Sequence, residues 1–356
     1  MTVPGKWVRD EIRALDAYHV APASGLVKLD AMENPYRLPP EVAEALGRLL
    51  GEVAVNRYPD PSAPGLKAAL REAMAVPGEL DLLLGNGSDE ILLMMATALA
   101  RPGASMLALE PSFVMYRMTA TLAGMGYAGV PLAADFTLDL PAVLAAIDRH
   151  RPALTWIAYP NNPTGNLFPR EAILAIVAAS PGLVVVDEAY HAFSGGATFL
   201  ADAVAHPNLV VLRTVSKLGL AGLRLGLAAG RAEWLREFDK VRLPYNVNVL
   251  TAAAAEFLLA RRAILEDQAR RIVDDRGLLE AGLDAIAGVR RFPSAANFVL
   301  ARVPDAPRAF EGLKVRGILV RNLHGTHPLL ANCLRFTVGK PDENARLLAA
   351  LAEAVG

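Results

Sequence analysis

The stretch Thr214-Val215-Ser216-Lys217-Leu218-Gly219-Leu220-Ala221-Gly222-Leu223-Arg224-Leu225-Gly226 follows the apolar run Leu209 to Leu212 and decides how the rest of the chain reads. One lysine stands among small and apolar neighbours, with two hydroxyls just before it and an arginine seven residues after. Desolvation in such company lowers a lysine's pKa towards the range where the neutral, nucleophilic amine is populated, the form that condenses with an aldehyde. Thr214, Ser216 and Arg224 would supply two hydroxyl donors and one fixed cation, a set suited to a phosphate. A ligand carrying both an aldehyde and a phosphate is the expectation. Most lysines near glycines are solvated loop residues, so the case rests on the surrounding chain.

Working outward, short apolar runs recur: Leu82 to Leu84, Ser105 to Leu109, Leu154 to Ala158, Leu183 to Val186, Leu209 to Leu212 and Leu225 to Ala229. Helical patterns separate them, among them Glu90 to Ala100, Leu138 to Asp148 and Arg170 to Ala179. This alternation reads as an α/β unit with a mostly parallel buried sheet and helices on both faces. Past Leu243-Pro244-Tyr245-Asn246 the pattern becomes a long helical stretch, Val249 to Ala285. Strands at Val289 to Phe292, Phe298 to Arg302, Ile318 to Val320 and Leu334 to Val338 follow, with helices Ala306 to Val315 and Glu343 to Ala354. The expected organisation is an N-terminal arm (1–39) packing with the small domain, a large domain (40–245) and a small α+β domain (246–356).

Three further motifs sit at strand ends. In Gly85-Asn86-Gly87-Ser88-Asp89-Glu90 glycines permit a tight turn, and the amides of a helix N-terminus form an anion site; by itself the motif reads equally as an ordinary helix cap. In Tyr159-Pro160-Asn161-Asn162-Pro163-Thr164-Gly165 an asparagine before proline presents a fixed amide where α/β sheets bind ligands, or simply turns the chain. Val184-Val185-Val186-Asp187-Glu188-Ala189-Tyr190 ends a very apolar strand in a carboxylate. Such a group needs a partner, for which a protonated pyridine nitrogen would serve, unless it merely caps the next helix.

The order Gly-Ser-Asp-Glu, Asn-Pro-Thr-Gly, Asp-Glu-Ala-Tyr and Ser-Lys-(six residues)-Arg, each after a strand, resembles the fold-type I pyridoxal-phosphate aminotransferases. The flanks Asn56-Arg57-Tyr58-Pro59, Glu110-Pro111-Ser112-Phe113-Val114-Met115-Tyr116, Val320-Arg321 and Cys333-Leu334-Arg335-Phe336-Thr337-Val338-Gly339 are similar to the histidinol-phosphate aminotransferase family, and the match runs from about Tyr18 to the C-terminus. The resemblance implies pyridoxal 5′-phosphate as cofactor, held by Lys217, with Asp187 on the pyridine nitrogen and Asn162 and Tyr190 on the phenolic oxygen. It places Phe113 as the stacking aromatic, where the family more often has tyrosine, and Ser88, Asp89, Thr214, Ser216 and Arg224 around the phosphate. Tyr58 would reach the phosphate of a neighbouring subunit, implying a homodimer. Arg335 would bind the substrate's anionic group, Arg321 and Tyr18 the substrate phosphate, and Asn34 is placed with them. Lys217, Asp187 and Tyr190 are the expected catalytic residues, with histidinol phosphate and glutamate/2-oxoglutarate as substrates. An aromatic or other amino-acid aminotransferase would keep every cofactor residue and stays open, as does a threonine-phosphate decarboxylase.

Composition sets the bounds. In 356 residues 53% are hydrophobic and the net charge is -1, so no field of one sign recruits nucleic acid or an anionic membrane. A single cysteine, Cys333, rules out an intrachain disulfide or a cysteine-based metal site. His324 and His327 flank Gly325, which favours a loop over a metal-binding helix, so no metal is expected. A regulator built on the same fold would need a DNA-binding segment before the motifs, and the residues before Tyr58 are too few. The first residues read as neither signal nor transit peptide, and the cytoplasm is the expected compartment.

Overall fold

The computed structural model describes residues 4–17 and 21–356. Its strands, in chain order, are β1 (Val27–Leu29), β2 (Asp81–Asn86), β3 (Ser105–Glu110), β4 (Gly126–Pro131), β5 (Leu154–Ala158), β6 (Leu183–Asp187), β7 (Leu209–Thr214), β8 (Leu225–Gly230), β9 (Arg290–Arg291), β10 (Phe298–Arg302), β11 (Ile318–Asn322) and β12 (Cys333–Thr337). Seven of them form one sheet in the order β2-β8-β7-β6-β5-β3-β4, and β8 alone runs against its neighbours. Five form a second sheet, β1-β11-β12-β10-β9.

The large sheet follows from its composition. β6 is buried at all five positions, as expected of a strand covered by helices on both faces. Successive residues serve opposite cores: Val184 and Val186 pack with Leu107, Leu109 and Ile157, while Val185 packs with Met106, Trp156 and Leu212. Each such side chain contributes about 1.5–3 kcal/mol by leaving water. The carboxyl ends of β5, β6 and β7 therefore open at one rigid edge, and that edge carries Asn162, Asp187 and Thr214.

The structure departs from the sequence reading in three places. β4 is an edge strand that Gly126, Gly129 and Pro131 hid, because glycine and proline are tolerated where one side of the ladder needs no partner. The long helical stretch is two helices, Val249–Leu259 and Arg262–Asp284. Neither glycine nor proline marks that break. The helix Val114–Ala123 also went unread, although it carries a buried tyrosine of the site.

The arm joins the small sheet: β1 pairs in parallel with β11, with Val27 opposite Ile318 and Leu29 opposite Val320. Leu29 and Met32 share a core with Phe298, Val320 and Phe336. On that pairing we propose that residues 21–39 belong with the small unit; the core of the large sheet runs past residue 245 and takes in Val247, Leu258, Leu300 and Cys333.

Candidate active site

A cleft of about 570 Å³, counted to its open mouth, lies at the carboxyl edge of the large sheet and takes in Ser88, Asp89, Phe113, Asn162, Asp187, Tyr190, Thr214, Ser216, Lys217 and Arg224. The sequence placed all ten there; Met32 and Tyr116 also line it.

At one end the chain builds an anion cradle. Gly87 has φ 81, and the helix Ser88–Leu99 begins immediately after it. Gly226 must lack a side chain, since a Cβ there would stand 2.5 Å from the Ser88 amide nitrogen. The Thr214 and Ser216 hydroxyls are 2.9 Å apart. Arg224 adopts a left-handed conformation, φ 49 and ψ 51, an unfavourable geometry that persists where surrounding structure imposes it. Its Nη2 lies 3.4 Å from Asp89 Oδ2, with both side chains about half exposed, a pair too loose to occupy the cation fully.

In the middle stands Asp187. Because strand residues alternate in direction, its neighbour Glu188 points the other way and forms a buried pair with Arg213 Nη2 at 2.8 Å. Asp187 Oδ1 accepts the Ala189 amide at 3.1 Å and Oδ2 accepts the Tyr116 hydroxyl at 2.8 Å. Burial pushes its carboxyl up to about 6, opposed by those two hydrogen bonds. Among the described residues Asp187 forms no ion pair. Asn162 Nδ2 donates to the Tyr190 hydroxyl at 3.2 Å, and its Oδ1 accepts Arg335 Nη1 at 2.6 Å.

Lys217 Nζ donates to the Ala31 carbonyl at 3.2 Å. Burial, and then the positive charge of Arg335, bring its pKa down to about 8. The amine is thus partly neutral near physiological pH, as expected for a nucleophilic lysine.

Arg335 and Arg321 do not line this cleft; Arg335 reaches it through Asn162. Arg335 is buried and also donates to the Asp30 carbonyl at 2.9 Å. Arg321 sits directly opposite it in the β11–β12 register, so both side chains leave the same face of the sheet. Among the described residues Arg321 forms no ion pair. Asn34 does not line the cleft; its amide bonds Gln268 Oε1 at 2.9 Å and the Leu218 carbonyl at 3.3 Å, tying the arm to the lysine loop. Tyr58 is 80% exposed, stacked on Tyr245 at 4.4 Å, and stands outside the cleft of its own chain. Tyr18 lies outside the described residues.

Five lining residues were not among the expected ones: Met32, Tyr116, Ala158, Pro160 and Ala189. Tyr116 falls three positions after Phe113, a helical spacing that would have placed it had the helix been read. Met32, with φ 54, gave no signal, since left-handed backbone favours glycine or asparagine.

This set of parts defines a pyridoxal-phosphate type of site: a depressed lysine, a buried carboxylate and a separate phosphate cradle. A family model for aminotransferase class I and II matches residues 24–351, and the chain belongs to that family. Its relatives narrow the grouping. The chain is 57% identical to a histidinol-phosphate aminotransferase of Chromobacterium violaceum, over 97% of this chain and 96% of that protein. It is 55% identical to histidinol-phosphate aminotransferase 2 of Cupriavidus pinatubonensis, over 97% and 95%. The crystal structure of histidinol-phosphate aminotransferase from Sinorhizobium meliloti in complex with pyridoxal-5′-phosphate superposes with a TM-score of 0.87 at 27% identity, covering 98% of this chain and 97% of that one. These identities do not favour the aromatic aminotransferase or the decarboxylase. No helix among the described residues is long and apolar enough to cross a membrane.

Proposed function

We propose that this protein transfers the amino group between L-histidinol phosphate and 2-oxoglutarate, using pyridoxal 5′-phosphate, in histidine biosynthesis. The observation that carries the substrate is the opposed pair Arg321 and Arg335. Like charges directly across a strand pair repel, so two arginines held there suit an anion placed between their side chains. A phosphate dianion can take charge-assisted hydrogen bonds from both, and Tyr18 is assigned to the same group. Arg335, linked through Asn162 to the cofactor end, would serve the carboxylate of glutamate in the second half-reaction.

The buried carboxylate and the cradle fit the cofactor. Ser88, Asp89, Thr214, Ser216 and Arg224 would hold its phosphate, Asp187 its pyridine nitrogen, Asn162 and Tyr190 its phenolic oxygen, and Phe113 a face of its ring. When bound, the cofactor accepts the electrons released at the substrate's α-carbon. Lys217, neutral above about pH 8, would carry the proton from the substrate's α-carbon to the cofactor's C4′ atom. Asp187 stays ionised and keeps the pyridine nitrogen protonated. Arg335 and Arg321 orient the substrate so that its α-carbon meets Nζ.

The reading includes a homodimer. Tyr58 and Tyr245 are stacked and exposed, and Val55 and Leu243 beside them in sequence are exposed as well, an apolar surface of the kind that a partner covers. Tyr58 would enter the partner's phosphate cradle from there. The reading also places the enzyme in the cytoplasm.

The test is a set of half-reactions followed by the cofactor's absorbance. Histidinol phosphate should convert the cofactor faster than phenylalanine does, and threonine phosphate should release no carbon dioxide. Faster conversion by phenylalanine would move the assignment to an aromatic aminotransferase.

A further inference from the structure

Tyr116 stands at the back of the cleft, on the first turn of the helix Val114–Ala123. Its ring is fully buried, parallel to Trp156 at 5.2 Å between centroids and edge-on to Phe113 at 5.7 Å. Its hydroxyl donates to Asp187 Oδ2 at 2.8 Å, while the Ala189 amide holds Oδ1. A carboxylate this deep tends to take up a proton, and the negative charges of Asp89 and Glu188 push Asp187 the same way. The Tyr116 hydrogen bond is the largest influence opposing them. Tyr116 itself is held well above the usual phenol range by burial and by the charge of Asp187, so it keeps its proton and donates it.

We propose that Tyr116 is a positioning residue for both groups that meet the cofactor's ring: its hydroxyl keeps Asp187 an ionised acceptor for the protonated pyridine nitrogen, and its ring fixes Phe113. A protonated Asp187 would be neutral and could not balance the pyridinium charge, so the phenol acts on the cofactor through the carboxylate. The inference rests on the reading above for the cofactor only, not for the amine substrate.

Tyr116→Phe retains the ring and both of its aromatic contacts and removes one O–H; Tyr116→Leu removes all three. Cofactor labelled with ¹⁵N at the pyridine nitrogen is bound to each variant and its resonance recorded at pH 8, and cofactor affinity is measured by titrating the apoprotein. Tyr116→Phe should move the nitrogen resonance towards the unprotonated position and weaken affinity about tenfold or more, the loss of one hydrogen bond to a charged group. Tyr116→Leu should match that shift in protonation. A Phe variant with wild-type protonation and affinity, and only the Leu variant impaired, would reduce Tyr116 to packing and overturn the proposal. If the Phe variant is recovered only with cofactor bound, the resonance alone decides, a protonated nitrogen counting against. Neither readout uses an amine, so the histidinol-phosphate assignment and this one fail separately.

Discussion

The two ends of the cleft differ in how much of them one chain supplies. The cofactor end is made of the large sheet's strand termini: Asp187, Thr214 and Ser216 are buried, each with hydrogen-bond partners within the chain. The substrate end draws on separate pieces, the arm through Ala31 and Met32 and, outside the cleft's own lining, the β11–β12 pair with Arg321 and Arg335. A rigid sheet edge can hold charges whose burial demands exact partners, whereas a substrate that enters and leaves needs donors on parts that can adjust. The difference teaches that cofactor affinity and substrate choice are separable properties here, and mutations should divide along that line.

The sharpest division should come from Lys217→Ala. Turnover should fall by about 10⁴-fold or more, as for loss of both nucleophile and proton carrier, while the apoprotein still binds cofactor through the cradle. Borohydride reduction of the wild-type holoenzyme followed by peptide mapping should find the cofactor on Lys217 alone; a second labelled lysine would break the scheme. Arg321→Ala tests the other end. It should lower kcat/KM for histidinol phosphate by about 10²-fold and affect the glutamate half-reaction less, with cofactor affinity unchanged. Equal losses on both substrates would return Arg321 to a general role.

Smaller is the effect expected of Tyr58→Phe, about tenfold in cofactor affinity for one hydrogen bond to a phosphate. In mixed dimers with Lys217→Ala protein, one site should carry both lesions and the other neither. Absence of any site with wild-type affinity after confirmed exchange would remove Tyr58 from the partner's cradle.

The pH response should separate the ends within the wild type. Lys217, lowered to about 8, becomes its neutral, nucleophilic form as pH rises through that value, so condensation of the apoprotein with added cofactor should speed up there. Asp187, raised to about 6, loses its charge as pH falls through that value, so cofactor affinity should fall on the acid side. In the apoprotein the sign for stability differs: the folded state binds more protons at Asp187 than the unfolded chain between about 4 and 6, so this group's contribution declines as pH rises across that window. A thermal-shift series from pH 4 to 9, with and without cofactor, measures both.

The sequence by itself determined the cofactor end. Strands β5 and β10 and the helices Arg170–Ala179 and Ala306–Val315 carry the boundaries their patterns predict. The ten cleft residues could be named because their motifs resemble those of the aminotransferases, and most of them stand within a few residues of a buried strand's end, so that local order fixes spatial order. What tertiary structure alone decided is whatever depends on distant segments meeting. Tyr116 reaches Asp187 across 71 positions, and Arg335 reaches Asn162 across 173; no periodicity encodes such a contact. Arg321 faces Arg335 because β11 and β12 share one register, and Asn34 meets Gln268, 234 positions away, rather than lining the cleft. Spacing along a strand or helix can be read from residue type, since backbone geometry sets it; the angle at which an arm crosses a sheet is set by packing, which is a property of the whole folded chain.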